Sequence, residues 1–179
     1  MNFDLRDFVN HGFVETGTFH GGGVSKALAA GFRRIVSIEV FEPLVAESRA
    51  RFAREIAAGV VDIVHGDSGD MLGSALQGLD FPVTFWLDAH IQTMSGAGVG
   101  REKCPVVAEL RQIAETRRNP QDIILIDDLR LIEDRRAGWA VDLGEFYRRL
   151  WQINPRFSLC RIDGHVPHDV LACVPRGRQ

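Results

Sequence analysis

Short apolar runs rich in β-branched residues alternate with amphipathic stretches along the whole chain. This alternation is typical of repeated strand–helix units, in which helices cover both faces of a mostly parallel sheet. The runs predict seven strands, at residues 12–16, 34–39, 60–64, 83–87, 123–126, 157–162 and 170–174. The last two flank a turn at Asp163 and Gly164, so we expect them to form an antiparallel hairpin that closes the sheet.

Apolar residues at helical spacing predict helices between these strands. One predicted helix covers residues 24–30, and a second starts at Pro43 and carries Val45, Phe52 and Ile56 on one face. A third has Val107, Leu110 and Ala114 on one stripe, and a fourth covers residues 143–153. There is no internal repeat and no domain boundary. The pattern therefore predicts a single doubly wound α/β domain over residues 1–179, with a seven-stranded Rossmann-like sheet that is mostly parallel.

Composition excludes several classes of protein. The 21 basic and 24 acidic side chains give a net charge of -3, whereas a protein that wraps duplex nucleic acid usually has a basic excess. No apolar run approaches the ~20 residues of a membrane span, and the N-terminus lacks a signal-peptide core. Three widely separated cysteines indicate neither a disulfide scaffold nor a cysteine zinc site. We therefore expect a cytoplasmic protein without a membrane or nucleic-acid partner.

Acidic residues stand at the ends of the first five predicted strands. Glu15, Glu39, Asp88 and Asp127 end apolar runs, and Asp67 follows the third run after a short turn. Ligands of open α/β sheets bind outside the carboxyl ends of the strands, so these acids are expected to gather at one edge. A single acid there would be interpreted as a helix cap, but five together require cations or hydrogen-bond donors.

A glycine-rich loop containing Gly17, Thr18 and Gly21 follows the first strand. Glycines let the chain turn sharply and let a ligand approach the N–H groups that begin the next helix. The loop also fits the TGxxxGxG pattern of short-chain dehydrogenases, but those enzymes need a Tyr-x-x-x-Lys pair. The one tyrosine, Tyr147, is followed four residues later by Trp151. A P-loop is excluded as well, because no Gly-Lys-Ser/Thr follows the glycines.

Glu39 lies some twenty residues beyond the glycines, where a carboxylate accepts hydrogen bonds from the ribose hydroxyls of an adenosine cofactor. Together with the loop, this resembles the class I S-adenosylmethionine (SAM)-dependent methyltransferases. The Glu-x-Gly-x-x-x-Gly form of the loop and the segments at 37–39 and 65–68 resemble the catechol O-methyltransferase branch. The resemblance implies that SAM is bound by Glu15, Gly17, Thr18, Gly21, Glu39, Asp67, Ser68 and Asp88.

Two further segments, at 86–90 and 125–128, resemble those of metal-dependent O-methyltransferases of the catechol and macrocin types. The resemblance implies a Mg²⁺ site formed by Asp88, Asp127 and Asp128. Because neighbouring strands lie ~4.8 Å apart, Asp88 and Asp127 can also be expected on physical grounds to approach one cation. Oxygen ligands favour Mg²⁺, Mn²⁺ or Ca²⁺ over zinc. Alternatively, Asp127 or Asp128 caps the next segment and pairs with Arg130.

The predicted catalytic residues are Asp88 and His90. An imidazole with an ordinary pKa near 6.5 is suited to act as a general base, although a structural role for His90 is an equally open alternative. The catechol enzymes have a lysine three residues after the metal-binding aspartate, and this chain has Ile91 there. Residues 93–100 are rich in small side chains and adjacent to the predicted metal site, which is typical of a substrate lid and equally of a plain flexible loop.

The main functional expectation is a SAM-dependent, Mg²⁺-assisted O-methyltransferase that acts on a small molecule with adjacent oxygens. One alternative is a metal-independent small-molecule methyltransferase. Alternatives of another class are a metal-dependent hydrolase and a non-catalytic cofactor-binding module. Only about eleven residues precede the first strand, so a homodimer in which a second subunit completes the site is a further expectation.

Overall fold

The computed structural model describes residues 3–90 and 100–177. Its strands are β1 (Gly12–Thr16), β2 (Arg34–Glu39), β3 (Val61–His65), β4 (Val83–Leu87), β5 (Ile123–Ile126), β6 (Phe157–Ile162) and β7 (Val170–Pro175). They form one sheet in the order β3-β2-β1-β4-β5-β7-β6. Strands β1 to β5 are parallel, and β7 lies antiparallel between β5 and β6. The predicted seven-stranded, mostly parallel sheet with an antiparallel hairpin strand is confirmed.

Helices cover both faces of this sheet. They are α1 (Gly22–Ala30), α2 (Glu42–Arg51), α3 (Ala53–Ala57), α4 (Ser68–Ala75), α5 (Val106–Thr116), α6 (Leu129–Glu133) and α7 (Leu143–Ile153), with short 3-10 helices at Leu5–Phe8 and Arg135–Ala137. Periodicity did not predict α4, because its Gly- and Ser-containing sequence has low helix propensity. The helix begins because the Asp67 side chain accepts the Gly69 N–H as an N-cap.

The predicted helix from Pro43 through Ile56 is divided into α2 and α3 at Phe52, where the backbone leaves the helical conformation at ψ 24°. The Phe52 ring lies against Gly21, which is the N-cap of α1 and has a left-handed φ of 74°. A Cβ atom at Gly21 would lie 2.5 Å from the Phe52 ring. The break therefore places an aromatic ring under the glycine-rich loop, a contact that spacing along one helix could not predict.

Alternating side chains of the strands form two apolar cores. Phe13 and Trp86 belong to the core beneath α1, α2 and α3, whereas their chain neighbours Val14 and Phe85 belong to the core beneath α4 to α7. All four side chains are buried. Burial on both faces explains why the parallel strands are almost continuously apolar. Within residues 3–90 and 100–177, no helix has the length and apolar character needed to cross a bilayer.

A buried ion pair joins the amino-terminal ends of the central strands, on the edge opposite the acidic one. The Arg117 guanidinium donates to both carboxylate oxygens of Asp122 at 2.8 Å and to the carbonyl oxygens of Leu79 and Phe81. Asp122 also accepts the Val83 N–H at 2.8 Å. Both charged side chains are almost fully buried. The pair therefore connects the end of α5 with the segments that enter β4 and β5.

We predict that Asp122→Asn lowers the free energy of unfolding by about 3–5 kcal/mol, because it leaves the Arg117 charge buried without its counter-charge. The matched control is Asp62→Asn, which removes the exposed partner of Arg34 and should cost about 1 kcal/mol or less. Urea unfolding of the three proteins measures both values. Equal losses in the two variants would contradict the importance of the buried pair.

Candidate active site

A cleft opens where the parallel strands end. Five of the residues predicted to bind a cofactor line it, namely Gly17, Glu39, Asp67, Ser68 and Asp88. The cleft contains about 770 Å³ of space that protein atoms do not fill, part of it open to solvent. The structure therefore places these five residues around a single cleft.

Glu39 connects the glycine-rich loop to the end of β2. Its Oε2 atom accepts the Phe19 N–H at 2.8 Å, and its Oε1 atom accepts the Phe41 N–H at 2.9 Å. A carboxylate has about four lone-pair positions, so each oxygen keeps acceptor capacity for a ligand. Gly17 allows the loop to pass close to the next strand end, because its φ is +83° and a Cβ atom there would lie 2.7 Å from the Asp88 carbonyl oxygen.

Asp67 holds two segments together at the far side of the cleft. Its Oδ1 atom accepts the Gly69 N–H at 2.9 Å, and its Oδ2 atom accepts the Arg101 N–H at 2.6 Å. Gly100, beside Arg101, also packs against this carboxylate and lines the cleft. Of the predicted substrate lid at residues 93–100, Gly100 is the one residue that the structure describes.

Glu109 was not predicted from the sequence, although it lies directly behind the cleft. The Ser68 hydroxyl, instead of facing a ligand, donates to Glu109 Oε1 at 2.6 Å. Burial raises the pKa of Glu109 to about 6, and hydrogen bonds from Ser68 and Thr16 lower it in part. The sequence feature that indicates a buried Glu109 is its place on the apolar face of the predicted helix, beside the buried residues Val106 and Leu110.

Glu15, Thr18 and Gly21 lie outside the lining of the cleft, although the sequence predicts that they bind a cofactor. Glu15 is buried beneath α1, where its Oε2 atom accepts the Ser37 hydroxyl at 2.7 Å, and Ser37 shares a 2.6 Å hydrogen bond with Thr18. A Cβ atom at Gly23 would lie 1.6 Å from Glu15 Oε1, so the carboxyl group occupies the space of the missing side chain. Burial raises the pKa of Glu15 to about 8 despite the bond from Ser37.

His90 lies at the other end of the cleft, between two carboxylates. Its Nε2 atom is 3.2 Å from Asp88 Oδ1 and 3.2 Å from Asp128 Oδ2, and its side chain is 3% exposed. The ring packs against Trp139 with centroids 4.7 Å apart. Burial lowers the pKa of His90, but interactions with Asp128, Asp88 and Cys104 outweigh it and hold the pKa well above its ordinary value.

The adjacent residues Asp127 and Asp128 have different hydrogen-bond partners. Asp128 has a left-handed φ of 53°, and its Oδ1 atom accepts from the Arg130 guanidinium at 2.5 Å. Burial raises the pKa of Asp128, but His90 and Arg130 outweigh it and hold the pKa at about 2. Asp127 is more deeply buried, and its Oδ1 atom accepts the Asp128 N–H at 2.9 Å. The pairing of Asp128 with Arg130, which was the structural alternative, is thus present.

The three predicted metal ligands belong to two neighbouring groups. Asp88, His90 and Asp128 offer donor atoms that all lie within 4.8 Å of one another, and Asp127, Asp128 and Asp169 form a second such group. Asp128 belongs to both. The structure therefore brings Asp88 and Asp128 together with His90, and it brings Asp127 together with Asp169.

Solved methyltransferase structures share this architecture at low sequence identity. The methyltransferase PaMTH1 of Podospora anserina, solved with bound S-adenosylhomocysteine (SAH), is 18% identical to this chain. The match covers 96% of this chain and 74% of that chain, with a TM-score of 0.62. An O-methyltransferase of Bacillus cereus in complex with SAH is 19% identical, with 95% and 76% covered and a TM-score of 0.62. The fold is that of the class I methyltransferases. This class I methyltransferase fold extends over nearly the whole chain, as the sequence resemblance predicted.

A third structure with the class I methyltransferase fold comes from a biosynthetic enzyme. TomG of Streptomyces achromogenes, an O-methyltransferase involved in tomaymycin synthesis and solved in complex with SAM, is 18% identical to this chain. It covers 96% of this chain and 76% of its own length, with a TM-score of 0.60. No protein-family model and no curated protein sequence matches the chain. At these identities, the structural similarity establishes a common fold.

We predict that the free energy of unfolding falls as the pH rises from about 4.5 to 8, and that Glu15→Gln removes much of this fall. The folded chain keeps the Glu15 proton up to a pKa of about 8, whereas an unfolded glutamate loses it near pH 4.3. Its stabilising contribution is therefore complete below the unfolded value and is lost as the pH rises through the folded value, at about 1.4 kcal/mol per pH unit.

Denaturant unfolding at several pH values compares Glu15→Gln with the wild type and with Glu115→Gln, a control at an exposed position. The control should keep the wild-type slope, because its carboxyl group is in water in both states. A Glu15→Gln protein with the same slope as the wild type would show that Glu15 does not retain a proton when buried.

Proposed function

We propose that the chain is a SAM-dependent O-methyltransferase that acts on a small molecule with adjacent oxygens. The observation that carries this proposal is the single cleft, which Gly17, Glu39, Asp67 and Asp88 line and which has the carboxylate of Asp128 close to that of Asp88. PaMTH1, the Bacillus cereus enzyme and TomG are described with SAH or SAM, which supports the same cofactor here.

The cofactor end of the cleft offers acceptors and an accessible backbone. Glu39 is placed to accept hydrogen bonds from ribose hydroxyls with the acceptor capacity left by its two backbone donors. The missing side chain of Gly17 lets a ligand lie close to the main chain. Asp67 and Ser68 line the wall at the start of α4, where we place the adenine ring. When bound, SAM supplies an activated methyl group on a sulfonium ion.

The acceptor end of the cleft positions the oxygen that receives the methyl group. Methyl transfer is an in-line displacement, so holding the acceptor oxygen in line with the methyl carbon provides much of the rate. The Asp88 backbone is fixed by the hydrogen bonds from its N–H to Thr16, which keeps its carboxylate at this end. His90 is the predicted base, but the flanking carboxylates of Asp128 and Asp88 raise its pKa against the effect of burial, which weakens that role.

A divalent cation is part of this proposal. Asp88 and Asp128 would hold it, with Asp127 directly behind them, and a bound cation would orient two adjacent oxygens and lower the pKa of a hydroxyl group. The donors fit such an ion, because Asp88 Oδ1 is buried and has no hydrogen-bond partner within residues 3–90 and 100–177. The metal-independent alternative is favoured by one observation, namely that the His90 ring lies 3.2 Å from both carboxylates, where an imidazolium would offset part of their charge without making an aligned hydrogen bond.

Calorimetric titration with SAH, with and without Mg²⁺ or Mn²⁺, tests the proposal, followed by turnover of SAM on catechols and sugar diols. We expect SAH binding in both conditions and turnover that depends on the metal. Turnover without metal dependence would favour the metal-independent methyltransferase. Absence of SAH binding would exclude both. The homodimer and the cytoplasmic location stay predictions.

We predict that Glu39→Gln weakens SAH binding about 10- to 100-fold. The change replaces a charge-assisted hydrogen bond, worth about 1.5–3 kcal/mol, with a weaker neutral one. Glu42→Gln is the matched control, because Glu42 is exposed on α2 a few residues further along and does not line the cleft. Calorimetry with SAH measures both affinities. Equal affinities in the two variants would contradict a role for Glu39 in binding the ribose.

A further inference from the structure

We propose that Asp88, His90 and Asp128 form a mixed nitrogen and oxygen site that selects transition-metal dications over Mg²⁺ and Ca²⁺, with His90 Nε2 as a direct ligand. The inference deepens the proposed function, because it names the ligands and the class of metal. It rests on the proposed function only for the use of that metal in methyl transfer. It differs from the sequence-based assignment at two positions, because His90 replaces Asp127 as a ligand and is no longer a base.

Two buried atoms at this site have no hydrogen-bond partner among the residues that the structure describes. His90 Nε2 and Asp88 Oδ1 are both fully buried, and neither has a hydrogen-bond partner among the described residues. They lie 3.2 Å apart, but the contact lacks the alignment of a hydrogen bond. An unsatisfied buried polar atom costs about 1–3 kcal/mol. A cation between the two atoms would satisfy both, whereas a single imidazole proton satisfies neither in this geometry.

The spacing of the three donors is that of ligands that share an ion. Nε2 of His90 is 3.2 Å from one oxygen of Asp88 and 3.2 Å from one oxygen of Asp128. Donors at right angles around an ion with bonds of about 2.1 Å are about 3.0 Å apart, and tetrahedral donors are about 3.4 Å apart. Two carboxylates and an imidazole could therefore close on an ion with only small movements.

Contacts around Asp128 hold its carboxylate in this position. Its left-handed φ of 53° is unfavourable for a side chain with a Cβ atom. Asp127 accepts the Asp128 N–H, and Arg130 binds Asp128 Oδ1, so that Oδ2 is the oxygen left facing His90. In metal sites, outer hydrogen bonds of this kind orient the ligating groups.

The imidazole decides which metals the site prefers. Three carboxylates would favour hard ions such as Mg²⁺ and Ca²⁺, whereas a nitrogen ligand favours first-row transition metals and zinc. With His90 bound through Nε2, we expect Zn²⁺ and Co²⁺ to bind more tightly than Mn²⁺, in the Irving–Williams order, and all three to bind more tightly than Mg²⁺.

Electron paramagnetic resonance of the full chain with Mn²⁺ tests this directly, without methyl transfer as the readout. We expect the signal of free Mn²⁺ to disappear on binding and pulsed measurements to detect coupling to a bound ¹⁴N nucleus. Zn²⁺ should displace Mn²⁺, and about a hundredfold excess of Mg²⁺ should not. Bound Mn²⁺ without nitrogen coupling, or equal competition by Mg²⁺, would overturn the inference even if no variant folds.

Variants give a second test. His90→Gln should weaken Mn²⁺ binding by at least about tenfold. His11→Gln is the control, because His11 lies at the opposite edge of the sheet, against Phe81. If Asp127→Asn weakens Mn²⁺ binding and His90→Gln does not, the all-carboxylate site is correct instead. Titration of the same proteins with SAH distinguishes failure of this inference from failure of the proposed function. If only the metal assignment is wrong, SAH still binds, whereas loss of SAH binding contradicts the proposed function.

Discussion

Burial of carboxylates at one edge of the sheet is the constraint on which the rest of the structure depends. Parallel strands deliver these side chains to the same edge, and each charge there needs a compensating group. Glu39 and Asp67 each accept two backbone N–H groups, and Glu15 is held in a neutral form by burial. Asp88 differs from these three, because its buried Oδ1 atom faces His90 Nε2, and neither atom has a hydrogen-bond partner in the described part of the chain.

This difference separates two parts of the cleft by their chemistry. Around Glu39 and Asp67, where we propose that the cofactor binds, the loop geometry and the acids stabilise each other. Around Asp88 and His90, donor atoms face one another without a hydrogen bond between them, and an added ion would complete the arrangement. Such a cleft suits a reaction in which the ligand beside Glu39 and Asp67 is always the same and the ligand at the incomplete cluster is selected.

The sequence was sufficient to predict the elements whose bounds are determined by burial alone. Five strands and α7 have their predicted bounds, because an apolar run between polar turns can only be a buried strand or helix face. Prediction was poorer where contacts between distant residues decide. The division at Phe52 depends on a ring that packs under Gly21, and the partners of Asp122 lie on other elements. The position of the Asp128 carboxylate likewise depends on a left-handed backbone conformation that residue spacing does not reveal.

The contact between Glu15 and Gly23 also has an evolutionary consequence. The carboxyl group of Glu15 occupies the volume that a side chain at position 23 would need. A substitution that adds even one methyl group at position 23 therefore requires the Glu15 carboxyl group to move or a shorter side chain to replace it. Among related sequences, a side chain at position 23 should accordingly occur together with a shorter residue at position 15 or with a displaced carboxyl group.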